Sequence, residues 1–381
     1  MKSYSHLYEK IYDPDNLRLA IHRAAKGAKK KRRRDVQYCL SHEEEVVRKL
    51  HDMLVNETYV FKQHEPRLRY DQNSHKYRKI IAPTYYYEQI IHHAIIQVLQ
   101  PIFMKGMYEY SCGSIPKRGA SYGKRYLERW IQNNPKKRKY VLKMDIHHYF
   151  DSVDHDVIKA KIRRKFHDER LNRLLFAIID GHEDSPGKGI PIGYYTSQWI
   201  SNWILQDMDH MIKEELKAPC YVRYMDDMVI IGPNKRELHR MKDTIETYLQ
   251  EKMHLELKGN WQVYRFDYIK RDGKRIGRDI DFMGFRFFSD RTIMRKRALK
   301  KCRRKATKIY KEGKKPNAYE SMQMISHMAE LKATDTYDYY KRFIKEKVNV
   351  RGMRHTISRW SKRRNQDGTK VEQIREHGTS K

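Results

Sequence analysis

Apolar residues recur along this chain with two periods, and the switches between them mark its elements. Leu17, Ile21 and Ala24 share one helical face, so a helix is predicted there. From Tyr87 to Phe103 the residues Ile90, Ile91, Ala94, Ile95, Val98 and Leu99 keep helical spacing, and Pro101 is expected to limit that helix. Val157, Ile158 and Ile162 mark another helix, and Leu171, Leu174, Leu175, Ile178 and Ile179 mark the next. Gly181 to Gly193 is a glycine- and proline-rich loop. Trp199, Ile200, Trp203, Ile204, Met208 and Met211 form the buried side of a further helix, and one more runs from about Lys235 to Leu255. The short runs read differently. Val141-Leu142-Lys143-Met144-Asp145 is a buried strand that ends on a carboxylate. Tyr221 to Ile231 is a β-hairpin, apolar on both flanks, with Met225-Asp226-Asp227 near its turn. Arg67 to Tyr70 and Lys76 to Ile81 form a basic hairpin, broken by Asp71-Gln72-Asn73-Ser74 and ended by Pro83. A small strand pair is predicted around Asp281 to Phe288.

Composition adds a partner to this picture. With 381 residues the chain can hold two or three packed units, and 39% hydrophobic residues supply core material. Its 81 Lys and Arg exceed 48 Asp and Glu by +33, an excess that opposes compaction unless a polyanion meets it. Nucleic acid is the commonest such partner; a ribosome-associated or merely soluble basic protein is the bland alternative. Lys26 to Arg34 is a cation run that reads as a phosphate contact or as a solvated loop. From Arg291 to Tyr310 there are ten Lys or Arg and no acid, so a separate basic helical unit is placed from about residue 289 onward. Cys39, Cys112, Cys220 and Cys302 are scattered, which argues against a zinc ribbon or disulfide framework and fits a reducing cytosol. The adjacent pairs His92-His93 and His147-His148 point apart on helix or strand, so they do not chelate zinc as an i, i+4 pair would. No apolar run approaches the roughly 18 residues that span a bilayer, so no membrane partner and a soluble, cytoplasmic protein are expected.

The acids carry the chemistry. Asp145 ends an apolar strand, and Asp226-Asp227 interrupt an apolar hairpin. Burying such groups costs several kcal/mol each unless they are paired or bind a metal. A lone Y-x-D-D is weak evidence, because Asp-Asp is common in turns. Carboxylates delivered from two strands onto one edge are another matter: few oxygen ligands, with room for water and phosphate, describe a Mg²⁺ site. Two such ions about 3.5–4 Å apart stabilise both the attacking and the leaving oxygen of a phosphoryl displacement.

These residues resemble a family. Lys143-Met144-Asp145-Ile146-His147-His148-Tyr149-Phe150-Asp151-Ser152-Val153-Asp154-His155 is similar to the first catalytic motif of bacterial reverse transcriptases, and Tyr221-Val222-Arg223-Tyr224-Met225-Asp226-Asp227 to their Y-x-D-D motif. Arg78 with Ile80 and Pro83 resembles the fingers block, and Ser111 to Gly119 the block after it, with Ile115 where many relatives carry arginine. Asp281-Phe282-Met283-Gly284-Phe285 resembles the primer grip, formed by Phe282, Met283 and Gly284. The resemblance spans roughly residues 8 to 345. It implies an α+β right-hand polymerase: fingers over 1–115, an antiparallel-sheet palm with the remaining fingers elements over 116–288, and a helical basic thumb with a C-terminal tail over 289–381.

The roles implied follow residue by residue. Asp145 and Asp226 bridge two Mg²⁺ ions, for which Mn²⁺ can substitute, helped by the backbone carbonyl of Ile146 and supported by Asp227. Arg78, with Lys76, holds the incoming dNTP; a hairpin gripping template phosphates would look the same. Phe150 is the gate against a ribose 2′-hydroxyl, though a core aromatic explains its position equally well. Ile192 and Gly193 line the nucleotide pocket. Gln198 and Ser197 start the helix behind it, where capping is a sufficient explanation. Asp154 is better read as an N-cap than as a metal ligand. Lys258 approaches the leaving pyrophosphate, or is a surface lysine.

Gly189-Ile190-Pro191-Ile192-Gly193-Tyr194-Tyr195-Thr196-Ser197-Gln198 has Ile192 where group II intron and retroviral enzymes carry glutamine. This I-G-x-x-x-S-Q pattern resembles the reverse transcriptases of diversity-generating retroelements, prokaryotic or phage-encoded bare polymerases that copy with errors at template adenines. Their partners are template RNA, primer and cDNA, dNTPs and a small basic accessory protein. The other readings are a group II intron-like or defence-associated enzyme, and a non-catalytic RNA-binding relative.

Overall fold

The computed structural model describes residues 3–27, 33–71, 76–133 and 138–377; part of the Lys26–Arg34 run and the Gln72-Asn73-Ser74 segment lie outside these. The chain divides into two compact units, residues 1–127 with 134–264, and residues 128–133 with 265–381.

The first unit is built from helices around one sheet. Helix Pro14–Ala24 starts where Asp13 accepts from the amides of Asp15 (2.9 Å) and Asn16 (3.2 Å), with proline at its first turn. It buries Leu17, Ala20, Ile21 and Ala24 against helix Ile90–Lys105. That second helix runs through Pro101 instead of stopping there. Proline removes one backbone bond and costs roughly 3 kcal/mol inside a helix. Here its ring sits at an exposed position, while Ile102 and Phe103 beyond it are buried. Phe103 packs 5.0 Å from the Trp203 ring and 6.3 Å from that of Trp199. This burial holds the last turn. Helices His155–Lys165 and Glu169–Asp180 bury the residues that their spacing predicts, except Val157, which is half-buried. The predicted Trp199–Met211 helix is divided into Tyr195–Ile204, Gln206–His210 and a π-turn over Met211–Glu215, and all its apolar positions are buried.

The strands are β1 (Arg67–Asp71), β2 (Lys76–Ile80), β3 (Ser111–Cys112), β4 (Tyr140–Asp145), β5 (Cys220–Tyr224), β6 (Asp227–Gly232) and β7 (Gln262–Arg265). β1 and β2 form the basic hairpin, pairing Arg69 with Arg78 and Tyr70 with Tyr77. The others form one sheet in the order β3-β5-β6-β4-β7. β5, β6 and β4 are antiparallel, while β3 lies parallel to β5 at the edge, so the sheet is mixed. Met228, Val229, Ile230 and Ile231 are all buried. Successive strand residues face opposite sides, so β6 is covered on both. Helix Lys235–Met253 packs on β4 and β6.

The second unit holds β8 (Tyr268–Ile269) paired with β9 (Arg275–Ile276), and a three-stranded sheet of β10 (Ile280–Phe282), β11 (Phe285–Phe287) and β12 (Thr292–Met294). Helices Lys296–Glu312, Ala318–Lys332, Tyr337–Phe343 and Val350–His377 follow. The division at 264/265 falls earlier than the composition shift near 289. The reason is packing: Met294 joins the core of Leu299, Cys302, Ile309, Met324 and Met328, and Asp335 accepts from the Thr292 amide at 2.8 Å. Among the described residues no helix is long and apolar enough to cross a membrane.

Candidate active site

Register brings the acids together. β4 and β6 pair so that Asp145 lies directly across from Asp227, and Tyr224 pairs with Asp227 on the other side. Met225 and Asp226 are the two residues of the β5–β6 turn. Met225 has φ 56°, the left-handed region that a side chain adopts only when its surroundings impose it. Its amide donates to the Cys112 carbonyl on β3 at 3.0 Å, and its carbonyl accepts from Arg223 Nη1 at 2.9 Å. The Asp226 carboxyl is pushed up to about 7, first by burial and then by the charges of Asp145 and Asp227.

One cation reaches this cluster from beyond helix Lys235–Met253. The chain returns antiparallel to the end of β4: Ile146 bridges Leu257, the His147 amide donates to the Glu256 carbonyl at 2.8 Å, and the Lys258 amide to the Asp145 carbonyl at 2.8 Å. Lys258 Nζ then donates to Asp145 Oδ2 at 2.9 Å, which holds the ammonium above its ordinary range. Ile146 itself is buried.

The residues read as a nucleotide pocket are joined through their backbones. After β4, His148 turns at φ 42° into the short helix Tyr149–Ser152, where Phe150 is half-buried. The Ile190 amide donates to the Phe150 carbonyl and the Gly189 amide to that of Val153, both at 2.8 Å. The Ile81 amide donates to the Ile192 carbonyl at 2.9 Å, which ties this loop to the end of β2, the strand that carries Lys76 and Arg78. Gly193 has φ 130°, and a Cβ there would stand 2.1 Å from the Ile81 carbonyl oxygen, so only glycine fits.

Other expectations change. Ser197 does not cap: helix Tyr195–Ile204 begins two residues earlier, with Tyr194 as an N-cap that makes no side-chain bond. Ser197 is buried and Gln198 half-buried in its first turns. Asp154 does cap, accepting from the amides of Asp156 (2.8 Å) and Val157 (3.2 Å), and it also meets His254 Nδ1 at 2.8 Å. Ile115 is buried. Phe282, Met283 and Gly284 lie in the second unit, where Met283 (φ 51°) and Gly284 (φ 91°) make the β10–β11 turn. Sequence reasoning passed over Arg223 and Asp209, both fully buried beside the Met225 turn. The available signal was an arginine inside an apolar strand.

With this geometry in view, the comparisons decide the family. Residues 67–262 match the family described as reverse transcriptase (RNA-dependent DNA polymerase). The chain belongs to the reverse transcriptase family. It is 23% identical over 209 residues to protein YkfC of Escherichia coli (strain K12), covering 45% of this chain and 55% of that protein. It is also similar to apo telomerase from Candida tropicalis truncated from its C-terminal domain, at TM-score 0.41 and 15% identity over 61% of this chain and 53% of that one. For telomerase from Candida albicans in complex with a fragment of telomeric RNA, the values are 0.43, 12%, 74% and 57%. The chain thus spans about half the length of the relatives it matches. The α+β right-hand polymerase class implied by its motifs is the fold of this reverse transcriptase family member, its sheet being mixed.

Members of the family generally use divalent metal ions. Among the described residues no three His, Cys, Asp or Glu side chains form a cage that could hold a metal alone. The three acids still fit such an ion. Burial and the charges of Asp145 and Asp227 raise the Asp226 carboxyl to about 7, so three oxygen-bearing side chains of one sign are set close together at the turn. Sites of this kind are completed by water and substrate phosphate.

Proposed function

We propose that the chain is an RNA-directed DNA polymerase that adds dNTPs to a primer 3′-hydroxyl, the error-prone enzyme of a diversity-generating retroelement. The observation that carries this is the register of Asp145 against Asp227 with Asp226, raised to about 7, in the adjoining turn. Asp145, Asp226 and the Ile146 carbonyl would hold two Mg²⁺ ions, or Mn²⁺ in their place, with Asp227 in support. When bound, such ions activate the 3′-oxygen and stabilise the charge of the leaving pyrophosphate.

The chain's own residues supply the remainder. Arg78 and Lys76 on β2 bind the triphosphate, a role supported by the backbone link from Ile81, just past the end of that strand, to Ile192. Phe150 packs under the deoxyribose and excludes a 2′-hydroxyl. Lys258, once it leaves Asp145, carries a proton that it can give to the departing pyrophosphate. Residues 1–115 serve as fingers, 116–288 as palm with further fingers elements, and 289–381 as thumb, with Phe282, Met283 and Gly284 gripping the primer. Template RNA meets the excess of +33, and a small basic accessory protein assists priming.

The retroelement assignment rests on Ile192, Gly193, Ser197 and Gln198. An apolar Ile192 cannot make the hydrogen bonds of a glutamine, so discrimination among template bases weakens. Primer extension on poly(rA)/oligo(dT) with Mg²⁺ tests the activity, with Asp226→Ala as the inactive control. No extension by the parent protein sinks the polymerase reading. Sequencing cDNA from Ile192→Gln tests the subfamily, where unchanged errors at adenines count against it.

A further inference from the structure

Arg223 is a fully buried cation two residues before the catalytic turn. Its charge is met by Asp209, also fully buried on helix Gln206–His210, through Nε to Oδ1 (2.8 Å) and Nη2 to Oδ2 (2.5 Å). Tyr221, on the same face of β5, donates to Asp209 Oδ1 at 2.7 Å. If the pair only fastened helix to sheet, these contacts would suffice, and an apolar pair of similar volume would be as stable or more so.

The third guanidinium nitrogen is directed elsewhere. Nη1 donates to the Met225 carbonyl at 2.9 Å and to Asn202 Oδ1 at 3.2 Å. Asn202, itself buried, returns its amide to Met225 Sδ at 3.2 Å and to the Gly113 carbonyl at 3.1 Å. Gly113 closes the site, since a Cβ on it would stand 3.0 Å from Met225 Cγ. The carbonyl that Arg223 grips belongs to the peptide joining Met225 to Asp226, and Cys112 holds the other side of Met225 at its amide. Fixing that peptide plane fixes the direction in which Asp226 leaves the turn.

We infer that Arg223, anchored by Asp209 and braced by Asn202, is a positioning residue that holds the Met225–Asp226 turn in its left-handed form and so presets the Asp226 carboxylate for a divalent cation. A charged donor is suited to this, because its bond to a carbonyl is stronger than a neutral one in a buried site. The pair is neutral as a whole, so it orients Asp226 without neutralising it. The inference rests on the polymerase reading.

The test replaces the pair rather than breaking it. Arg223→Met with Asp209→Leu, made together with Tyr221→Phe so that no buried hydroxyl loses its acceptor, removes both buried charges together and is expected to keep the melting temperature near that of the parent. Extension kcat should fall roughly 10- to 100-fold, as for a misplaced catalytic group, while the KM for dNTP stays within about twofold, since the pocket is untouched. Mn²⁺ affinity, read by paramagnetic resonance of the free ion, should fall at least about fivefold. A folded triple variant with parental kcat and Mn²⁺ affinity overturns the inference. Should it not fold, Arg223→Lys decides, because it keeps a charge for Asp209 but lacks the further nitrogen that reaches the Met225 carbonyl; parental values there overturn it too. If neither variant folds, the pair serves folding alone and the positioning role is refuted. An inactive parent would sink the polymerase reading, and the Mn²⁺ measurement would still judge this one.

Discussion

Asp226 shows what a single side chain can report. Its carboxyl is raised from 3.8 to about 7 by burial and by two neighbouring acids, so the folded chain holds a proton that the unfolded chain gives up at lower pH. A group with a raised folded pKa contributes stability that is present below the unfolded value and lost as pH rises through the folded one. In metal-free protein Asp226→Asn should therefore raise the melting temperature, with a gain about 2 kcal/mol larger at pH 8 than at pH 5. Thermal melts at the two pH values check this. Adding Mg²⁺ should shrink the gain, because the cation relieves the parent's repulsion, and primer extension should be lost. Gly193 makes a second prediction at this scale. With φ 130° and the Ile81 carbonyl oxygen 2.1 Å from any added Cβ, Gly193→Ala should cost on the order of 2–4 kcal/mol in denaturant unfolding. It should also raise the KM for dNTP by displacing Ile192.

Among the elements, the β1–β2 hairpin has two readings that differ in outcome. Cross-strand pairing sets Arg69 and Arg78 on one face, and Tyr70 and Tyr77, 5.1 Å apart, on the other. If Arg78 binds the triphosphate, Arg78→Ala should raise the KM for dNTP roughly tenfold or more, the worth of one charge-assisted bond, and leave RNA affinity nearly unchanged. A template grip would give the reverse, and titrations of dNTP and RNA on one variant separate the two. The elements also show where periodicity sufficed. The faces of helices Pro14–Ala24, His155–Lys165 and Glu169–Asp180 were readable, because burying one side of a helix requires apolar spacing that local sequence records. Pro101 misled, because the burial of Ile102 and Phe103 that outweighs it comes from helices distant in sequence. The start of helix Tyr195–Ile204 misled likewise, since Tyr194 precedes it without a side-chain cap.

Across the whole molecule the excess of +33 is the dominant physical fact. RNA affinity should fall steeply with salt, with a log–log slope of roughly −4 or steeper if several phosphates are met. On helix Lys296–Glu312 the buried Leu299, Cys302, Ala306 and Ile309 leave Lys300 and Arg304 exposed. Lys300→Gln with Arg304→Gln should weaken RNA binding alike for all sequences and reduce the slope by roughly 1–2. Filter binding at several salt concentrations measures both, and an unchanged slope removes this face from the RNA contact.

Amino-acid order alone determined the strand ending on Asp145, the hairpin around Asp226-Asp227, the helical faces and the excess of positive charge, because each is written in local periodicity or in summed charge. Tertiary structure decided what those residues do to one another. It set Asp145 across from Asp227, placed Lys258 on Asp145, laid β3 parallel at the sheet edge and put the buried Arg223 against the Met225 carbonyl. The physical reason is that register and burial depend on contacts between segments far apart in the chain. A side chain's hydrogen bonds and the shift of its pKa exist only once those segments have met.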